Sequence, residues 1–220
     1  SVQLTGRARV NAGVAIHSLR AASRESITTL KKLVGDDDVP IHIHVAEQMQ
    51  EVNDCLTATG ARPIEWLCRE FAPDHRWQLV HATHATAAEI NSVASAGAGM
   101  VICPSTEGNL GDGLADLPAW LAEQVPMAIG SDSHVSRSWA EELRWLEYGQ
   151  RLNLQRRNVA TAPALGQPST AARLFEAALD GGRRAAGAKK WGLTNGARAD
   201  ALVLNTQSPG LLGIAPTHLL

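Results

Sequence analysis

The chain has 220 residues, of which 45% are hydrophobic and 19% charged, so it can form one large domain or two small ones. The formal net charge is −2 and Lys and Arg form no run, which makes nucleic acid and anionic membranes poor candidate partners. No apolar stretch approaches the roughly 18 residues of a membrane span, and no signal peptide opens the sequence. The three cysteines lie far apart without a C-x-x-C pattern, which favours a cytoplasmic protein without disulfides.

Short apolar runs alternate with longer amphipathic ones from residue 12 onward. The pattern predicts strands at residues 12–17, 40–46, 77–82, 99–103 and 126–131. It predicts helices at 23–34, 48–58, 62–71, 85–96, 139–153 and 170–179, and a Gly-rich loop at 104–113. A turn leading into a short alternating strand is predicted within 191–205. Val- and Ile-rich strands separated by helices indicate an α/β fold with a parallel sheet.

Polar side chains follow several of these strands at the point where each ends, namely His17, His44, His81 and Asp132. The carboxyl ends of strands carry the ligand site in α/β barrels and in open doubly wound sheets alike. The position therefore predicts an active site, and it leaves both architectures open.

The segment at residues 41–48 has the composition of a metal site. Alternation along a strand places His42 and His44 on one face, with Glu47 just beyond. Neutral imidazole is a good Zn²⁺ ligand, and a nearby carboxylate can transfer protons, although His42 is equally well explained as a core residue. Asp132 can ligate a metal and accept a proton, and His134 beyond it either supports the site or belongs to the loop.

Arg20 and the Gly-rich loop are the remaining candidate ligand contacts. Arg20 lies one turn past a strand, where it can form a bidentate pair with a substrate carboxylate; the alternative is a charge on a helix surface. The loop lacks the Gly-Lys-Ser/Thr ending of a phosphate loop, and no Gly-x-Gly-x-x-Gly joins a strand to a helix as an NAD-binding domain requires.

Together these motifs resemble the amidohydrolase superfamily, whose metal sites lie at the mouth of a (β/α)8 barrel. The resemblance is carried by residues 17–20 (His-Ser-Leu-Arg), 44–48, 61–67, 79–84, 105–113, 130–136 and 141–152. It implies that residues 12–132 supply strands four to eight of a TIM barrel. It also implies a partial catalytic domain at 1–190 and a strand at 191–220 that returns to a small β-domain.

The resemblance implies one Zn²⁺, held in part by His44 and Asp132. The family's His-x-His pair on the first strand has no counterpart, because the spacing from His44 to His81 is that of a single βα unit and rules out His42 and His44 for that role. A catalytic Zn²⁺ needs three or more protein ligands, so the site is expected to be incomplete and the chain to be part of a longer enzyme.

The resemblance also implies the chemistry. Glu47 and His81 would relay a proton and stabilise the transition state, Asp132 would accept a proton, and His17 and Arg20 would contact substrate carboxylates. The implied reaction is metal-dependent hydrolysis of the formimino C–N bond of N-formimino-L-glutamate, a small-molecule substrate, to N-formyl-L-glutamate and ammonia.

Two alternatives remain at this point. One is a related deaminase acting on a ring of the guanine or cytosine type, for which Arg20 beside His17 has no obvious use. The other is a catalytically silent chain that only binds or assembles. Exposed sheet edges in a partial barrel also allow a homo-oligomer.

Overall fold

In the computed structural model, residues 11–190, 192–197 and 200–219 are described. The strands are β1 (Val14–Ser18), β2 (Ile41–Val45), β3 (Trp77–His81), β4 (Gly99–Ile102) and β5 (Met127–Ile129). The α-helices are α1 (Arg24–Val34), α2 (Met49–Thr59), α3 (Pro63–Phe71), α4 (Ala87–Ala96), α5 (Pro104–Leu110), α6 (Leu117–Ala122), α7 (Trp139–Leu154) and α8 (Thr170–Ala185). The five predicted strands are confirmed to within a few residues at each end. None of the described helices is both long and apolar enough to cross a membrane.

The sheet is parallel throughout, and its order is β1-β2-β3-β4-β5. Every strand therefore pairs with the next strand of the chain. A doubly wound sheet reverses its strand order at a switch point, and this sheet does not. The topology is that of consecutive (β/α) units, so the fold is a partial TIM barrel, as the sequence resemblance implied.

The strand β2 shows how the sequence divides the two faces of the sheet. Ile41, Ile43 and Val45 are buried, whereas His42 and His44 are half-buried on the opposite face. The Nε2 atom of His42 lies 2.8 Å from the carbonyl oxygen of Ala185, at the end of α8. His42 is thus used to attach a helix to the sheet.

Local signals define the ends of most helices. Ser23 caps α1 by accepting a hydrogen bond from the backbone N–H of Ser26, and Gly35 ends the helix with a φ of 56°. Thr86 and Glu89 form a reciprocal capping box at the start of α4. These caps explain why the predicted starts of these helices fall within two residues of the observed ones.

The prediction of a loop over residues 104–113 is wrong for its first seven residues, which form α5. Pro104 occupies the first helical turn, and Glu107 accepts a hydrogen bond from the Cys103 N–H at 2.8 Å. Glu142 on α7 accepts from both the N–H and the hydroxyl of Ser105, at 2.9 and 2.5 Å. These carboxylates accept hydrogen bonds from donors at the start of α5 that have no partner within the helix.

Two further differences concern the second half of the chain. Helix α6 was not predicted, and α8 continues to Ala185, past the predicted end at 179. The strand expected within 191–205 does not form in the described part of that segment, where Leu202 and Val203 are 75% and 97% exposed without a neighbouring strand. Residues 191, 198 and 199 lie outside the described residues, and the domain boundary at 190 stays a prediction.

Candidate active site

Three histidines form a row along the carboxyl ends of adjacent strands. The ring centroids of His17 and His44 lie 5.6 Å apart, and those of His44 and His81 lie 5.5 Å apart in a stacked arrangement. The parallel register pairs Ser18 with His44 and Val45 with His81, so neighbouring strands bring these rings to one level. Three of the predicted site residues are therefore in direct proximity.

The backbone at this edge of the sheet adopts an uncommon conformation. Ala46, His81, Ala82 and Asp132 have φ angles of 52°, 68°, 49° and 48°. A left-handed conformation costs a non-glycine residue about 1–2 kcal/mol, and such strain concentrates at functional sites. His81 at the end of β3 and Asp132 in the turn after β5 thus both have left-handed backbone conformations.

The orientation of His44 suits a metal ligand. Its Nδ1 donates to the carbonyl oxygen of His17 at 2.6 Å. With the proton on Nδ1, the neutral ring keeps a lone pair on Nε2, and a backbone acceptor of this kind is the usual partner of a ligating histidine.

Glu47 lies between Arg20 and His81. Its Oε2 accepts a hydrogen bond from Arg20 Nη2 at 2.7 Å, and its Oε1 lies 3.5 Å from His81 Nε2. Glu51 is buried next to this pair. Its Oε2 accepts a hydrogen bond from the Glu47 N–H at 2.9 Å and lies 4.0 Å from Arg20 Nε. The structure therefore joins the predicted carboxylate-binding residue to the predicted proton-transfer residue.

His81 is fixed from behind by Glu107. Its Nδ1 donates to Glu107 Oε1 at 3.2 Å, while its buried Nε2 has no hydrogen-bond partner among the described residues. Burial lowers the pKa of His81, but the hydrogen bond to Glu107 and the negative charges of Glu47, Glu107 and Asp132 outweigh it, so the pKa lies above its ordinary value. The ring is thus presented with Nε2 toward Glu47.

Among the described residues, His81, Cys103 and Glu107 offer ligand atoms that lie within 4.8 Å of one another and could hold a metal ion. However, Glu107 Oε1 already accepts hydrogen bonds from His81 and from the Cys103 N–H. Burial also raises the pKa of the Cys103 thiol, which disfavours the thiolate that a metal needs. The arrangement better suits a buried support for His81.

Asp132 is exposed in the turn after β5, and its charge contributes to the raised pKa of His81. No hydrogen bond joins it to His44 within the part of the chain that the structure describes. The turn is fixed by Thr106, whose hydroxyl donates to the Ser131 carbonyl at 2.7 Å and accepts from the His134 N–H at 3.0 Å. His134 itself supports this turn, because its Nδ1 accepts from the Ser136 N–H.

The motif at residues 141–152 supports the scaffold. Glu142, Glu147 and Gln150 are buried on α7. Glu147 accepts from the Ala160 N–H at 3.0 Å, and Gln150 donates to the Ala115 carbonyl at 2.8 Å. These side chains tie α7 to neighbouring loops and do not contact the row of histidines.

Sequence reasoning missed Glu51 and Glu107. Glu107 fell within the segment predicted as a loop, so nothing indicated that it would face His81. Glu51 has a detectable signal, because an acidic residue in the first turn of a helix that follows Glu47 is typical of a helix cap. Its proximity to Arg20 depends on the packing of β1 beside β2.

The chain matches a family model described as "Amidohydrolase family" over residues 1–217. It is 49% identical over 199 residues to the formimidoylglutamate deiminase of Pseudomonas aeruginosa, covering 90% of this chain and 43% of that protein.

Two solved structures are similar in both sequence and fold. A crystal structure of an amidohydrolase from Brucella melitensis is 45% identical, with a TM-score of 0.81, and the match covers 86% of this chain and 41% of that one. An adenosine deaminase from Xanthomonas campestris, with bound zinc, is 26% identical with a TM-score of 0.74, over 84% and 41%. The chain spans less than half the length of each of these proteins.

Proposed function

The chain belongs to the amidohydrolase family, and we propose that it forms part of a longer enzyme that hydrolyses N-formimino-L-glutamate to N-formyl-L-glutamate and ammonia, a step of histidine degradation. The observation that carries the proposal is that the Arg20 guanidinium donates to one oxygen of Glu47, while the other oxygen of Glu47 faces the imidazole of His81. The identity of 49% to the Pseudomonas deiminase supports the same substrate.

We propose that His44 and Asp132 are two of the ligands of one Zn²⁺. The Nδ1–H of His44 is bonded to a backbone carbonyl and leaves Nε2 for a metal, and Asp132 presents an exposed carboxylate after β5. The zinc of the Xanthomonas relative, at 26% identity, supports the choice of ion. When bound, the ion would supply Lewis-acid activation of water and of the amidine carbon.

Proton transfer falls to Glu47 and His81. Glu47 lies at the site with one oxygen toward His81, a position from which it can pass a proton to the departing nitrogen. Because His81 Nδ1 donates to Glu107, Nε2 can donate to negative charge that develops on the reacting centre when the ring is doubly protonated, a form that the raised pKa of His81 favours. Glu107 holds the ring in this orientation, so the two groups are positioned before substrate binds.

Recognition of the substrate's carboxylates falls to Arg20 and His17. The Arg20 side chain is 36% exposed, and the planar fork of donors on its guanidinium matches a carboxylate. His17 lies beside His44 on an exposed strand position, where it can add a further donor. This pair would select an amino-acid-like amidine over a neutral ring.

The test is Arg20→Met in the full-length protein, with Arg24→Met as the matched control. Arg24 lies one turn further along, is 64% exposed and pairs with Glu70 on α3. Since a hydrogen bond to a charged group contributes about 1.5–3 kcal/mol, kcat/KM for formiminoglutamate should fall about tenfold to hundredfold in Arg20→Met and little in Arg24→Met. A value within twofold of the wild type for Arg20→Met would refute the carboxylate assignment.

A deaminase for a nucleobase-like ring is the alternative, and similarity to the Xanthomonas adenosine deaminase supports it at 26% identity. To distinguish the two functions, ammonia release from adenosine, guanine, cytosine and formiminoglutamate is measured on one protein preparation whose zinc content is known. The same measurement identifies a catalytically silent protein, which would bind no zinc and release no ammonia from any of them.

A further inference from the structure

We propose that the Arg20–Glu47 ion pair is a resting contact that the substrate's carboxylate replaces, so that carboxylate binding frees Glu47 for proton transfer. This inference rests on the proposed function, because it assigns an order of events to the same residues. Under this proposal, Glu47 is released for proton transfer only when the bound substrate carries a carboxylate.

The first support is that the Glu47 carboxylate contacts both Arg20 and His81. Arg20 Nη2 donates to Glu47 Oε2 at 2.7 Å, while Glu47 Oε1 is 3.5 Å from His81 Nε2. While Nη2 is bonded to Glu47, the same edge of the guanidinium cannot form a fork with a second carboxylate. Bidentate recognition of a substrate carboxylate through this edge of the guanidinium therefore requires the contact with Glu47 to open.

The second support is that the guanidinium has a separate, fixed counter-ion. Glu51 is buried, and its Oε2 lies 4.0 Å from Arg20 Nε. Its Oε1 is buried without a hydrogen-bond partner among the described residues. A buried carboxylate that loses its cation is strongly destabilised, so Glu51 opposes any departure of Arg20 from the site. Glu51 acts as a positioning residue, and Glu47 is the partner that can be exchanged.

The third support is access. The Arg20 side chain is 36% exposed, compared with 12% for Glu47 and 2% for Glu51. A ligand carboxylate arriving from solvent therefore meets the guanidinium first. The exchange replaces one charge-assisted contact by another, and leaves Glu47 beside His81 without its bond to Arg20.

The experiment measures the affinity of N-formyl-L-glutamate, the proposed product, for the full-length protein by calorimetry. The proteins are the wild type, Glu47→Gln, Arg20→Met and the double variant, and Glu47→Ala repeats the test if Glu47→Gln folds poorly. Removing the internal competitor should tighten binding about fivefold, the upper range for a partly exposed ion pair. In the Arg20→Met background the same change should have no effect.

Any other result contradicts the proposed replacement of Glu47 by the ligand carboxylate at Arg20. Unchanged or weaker binding in Glu47→Gln would show that the two carboxylates do not compete. If Glu47→Gln tightened binding equally in the Arg20→Met background, the gain in affinity would come from the loss of a negative charge and not from competition for Arg20. The neutral diamide of N-formylglutamate, as a control probe, should show no gain in any variant. Absence of binding by all four proteins would overturn the proposed function together with this inference, whereas binding without a gain overturns the inference alone.

Discussion

Replacing Gly181 by Ala should destabilise the protein, because α8 packs there directly on the backbone of β5. A Cβ at Gly181 would lie 2.0 Å from the Met127 carbonyl oxygen and 2.6 Å from the Ala128 nitrogen. Carbon atoms pack at about 3.5–4.0 Å, so the helix would have to move about 1.5 Å away from the strand. Overpacking of this kind costs about 1–3 kcal/mol and sometimes more, against a gain of about 1 kcal/mol in helix propensity. We expect a net loss of about 2 kcal/mol.

Gly182 provides the matched control on the same helix. A Cβ at this position meets nothing within 4 Å, so Gly182→Ala should stabilise the protein by about 0.5–1 kcal/mol through backbone entropy alone. Urea denaturation followed by circular dichroism, with the m-value checked for constancy, measures both changes. Equal effects of the two substitutions, or a more stable Gly181→Ala variant, would refute the packing of α8 on β5.

Two predictions concern titratable groups. Burial opposes the ionisation of Asp74, but hydrogen bonds from Arg76 outweigh it and hold the pKa of Asp74 below its ordinary 3.8. Because the folded-state pKa is depressed, this stabilisation is present above pH 3.8 and lost as the pH falls through the folded value, so melting curves of Asp74→Asn and wild type should differ at pH 7 and converge near pH 2. Burial raises the pKa of both the Cys103 and Cys55 thiols, and Cys103 is the more buried. Iodoacetamide at pH 8 should therefore modify Cys55 first, as read by peptide mass spectrometry, and modification of Cys103 before unfolding would contradict this.

The strands were predictable because each is a short apolar run whose neighbours in the chain are amphipathic helices. Trp77, Leu79 and Met100 are fully buried at 0% exposure, as continuous hydrophobic strands of a parallel sheet require. The barrel architecture was implied by the family resemblance and is confirmed by the strand order, which composition and periodicity do not contain. Strand-end positions alone left barrel and doubly wound sheet equally open.

Two of the helical errors, those at α5 and α8, have a common physical cause. Glycines made residues 104–113 look like a loop and made α8 look as though it ended before Gly181. In both places tertiary contacts outweigh the local preference: Glu142 caps the start of α5 from another helix, and Gly181 is the residue that allows α8 to approach β5. Neither contact is visible in a window of local sequence.

The same distinction between local sequence signals and tertiary contacts applies to the candidate site. His44, Glu47 and His81 could be predicted as candidate site residues because strand ends and residue chemistry are local properties of the sequence. The ion pair between Arg20 and Glu47, and the support of His81 by Glu107, join residues from different βα units. These contacts therefore depend on the packing of one unit against the next, which local sequence does not show.

The order of the sheet also has a consequence for how the site forms during synthesis. Each strand pairs with the strand one βα unit later, so every pairing closes a loop of similar, modest length and costs little chain entropy. The pairing of β1, β2 and β3 can be complete before β5 has been made, and it already aligns His17, His44 and His81. Asp132 arrives last, after β5, so the imidazole half of the site can exist before its carboxylate partner has been translated.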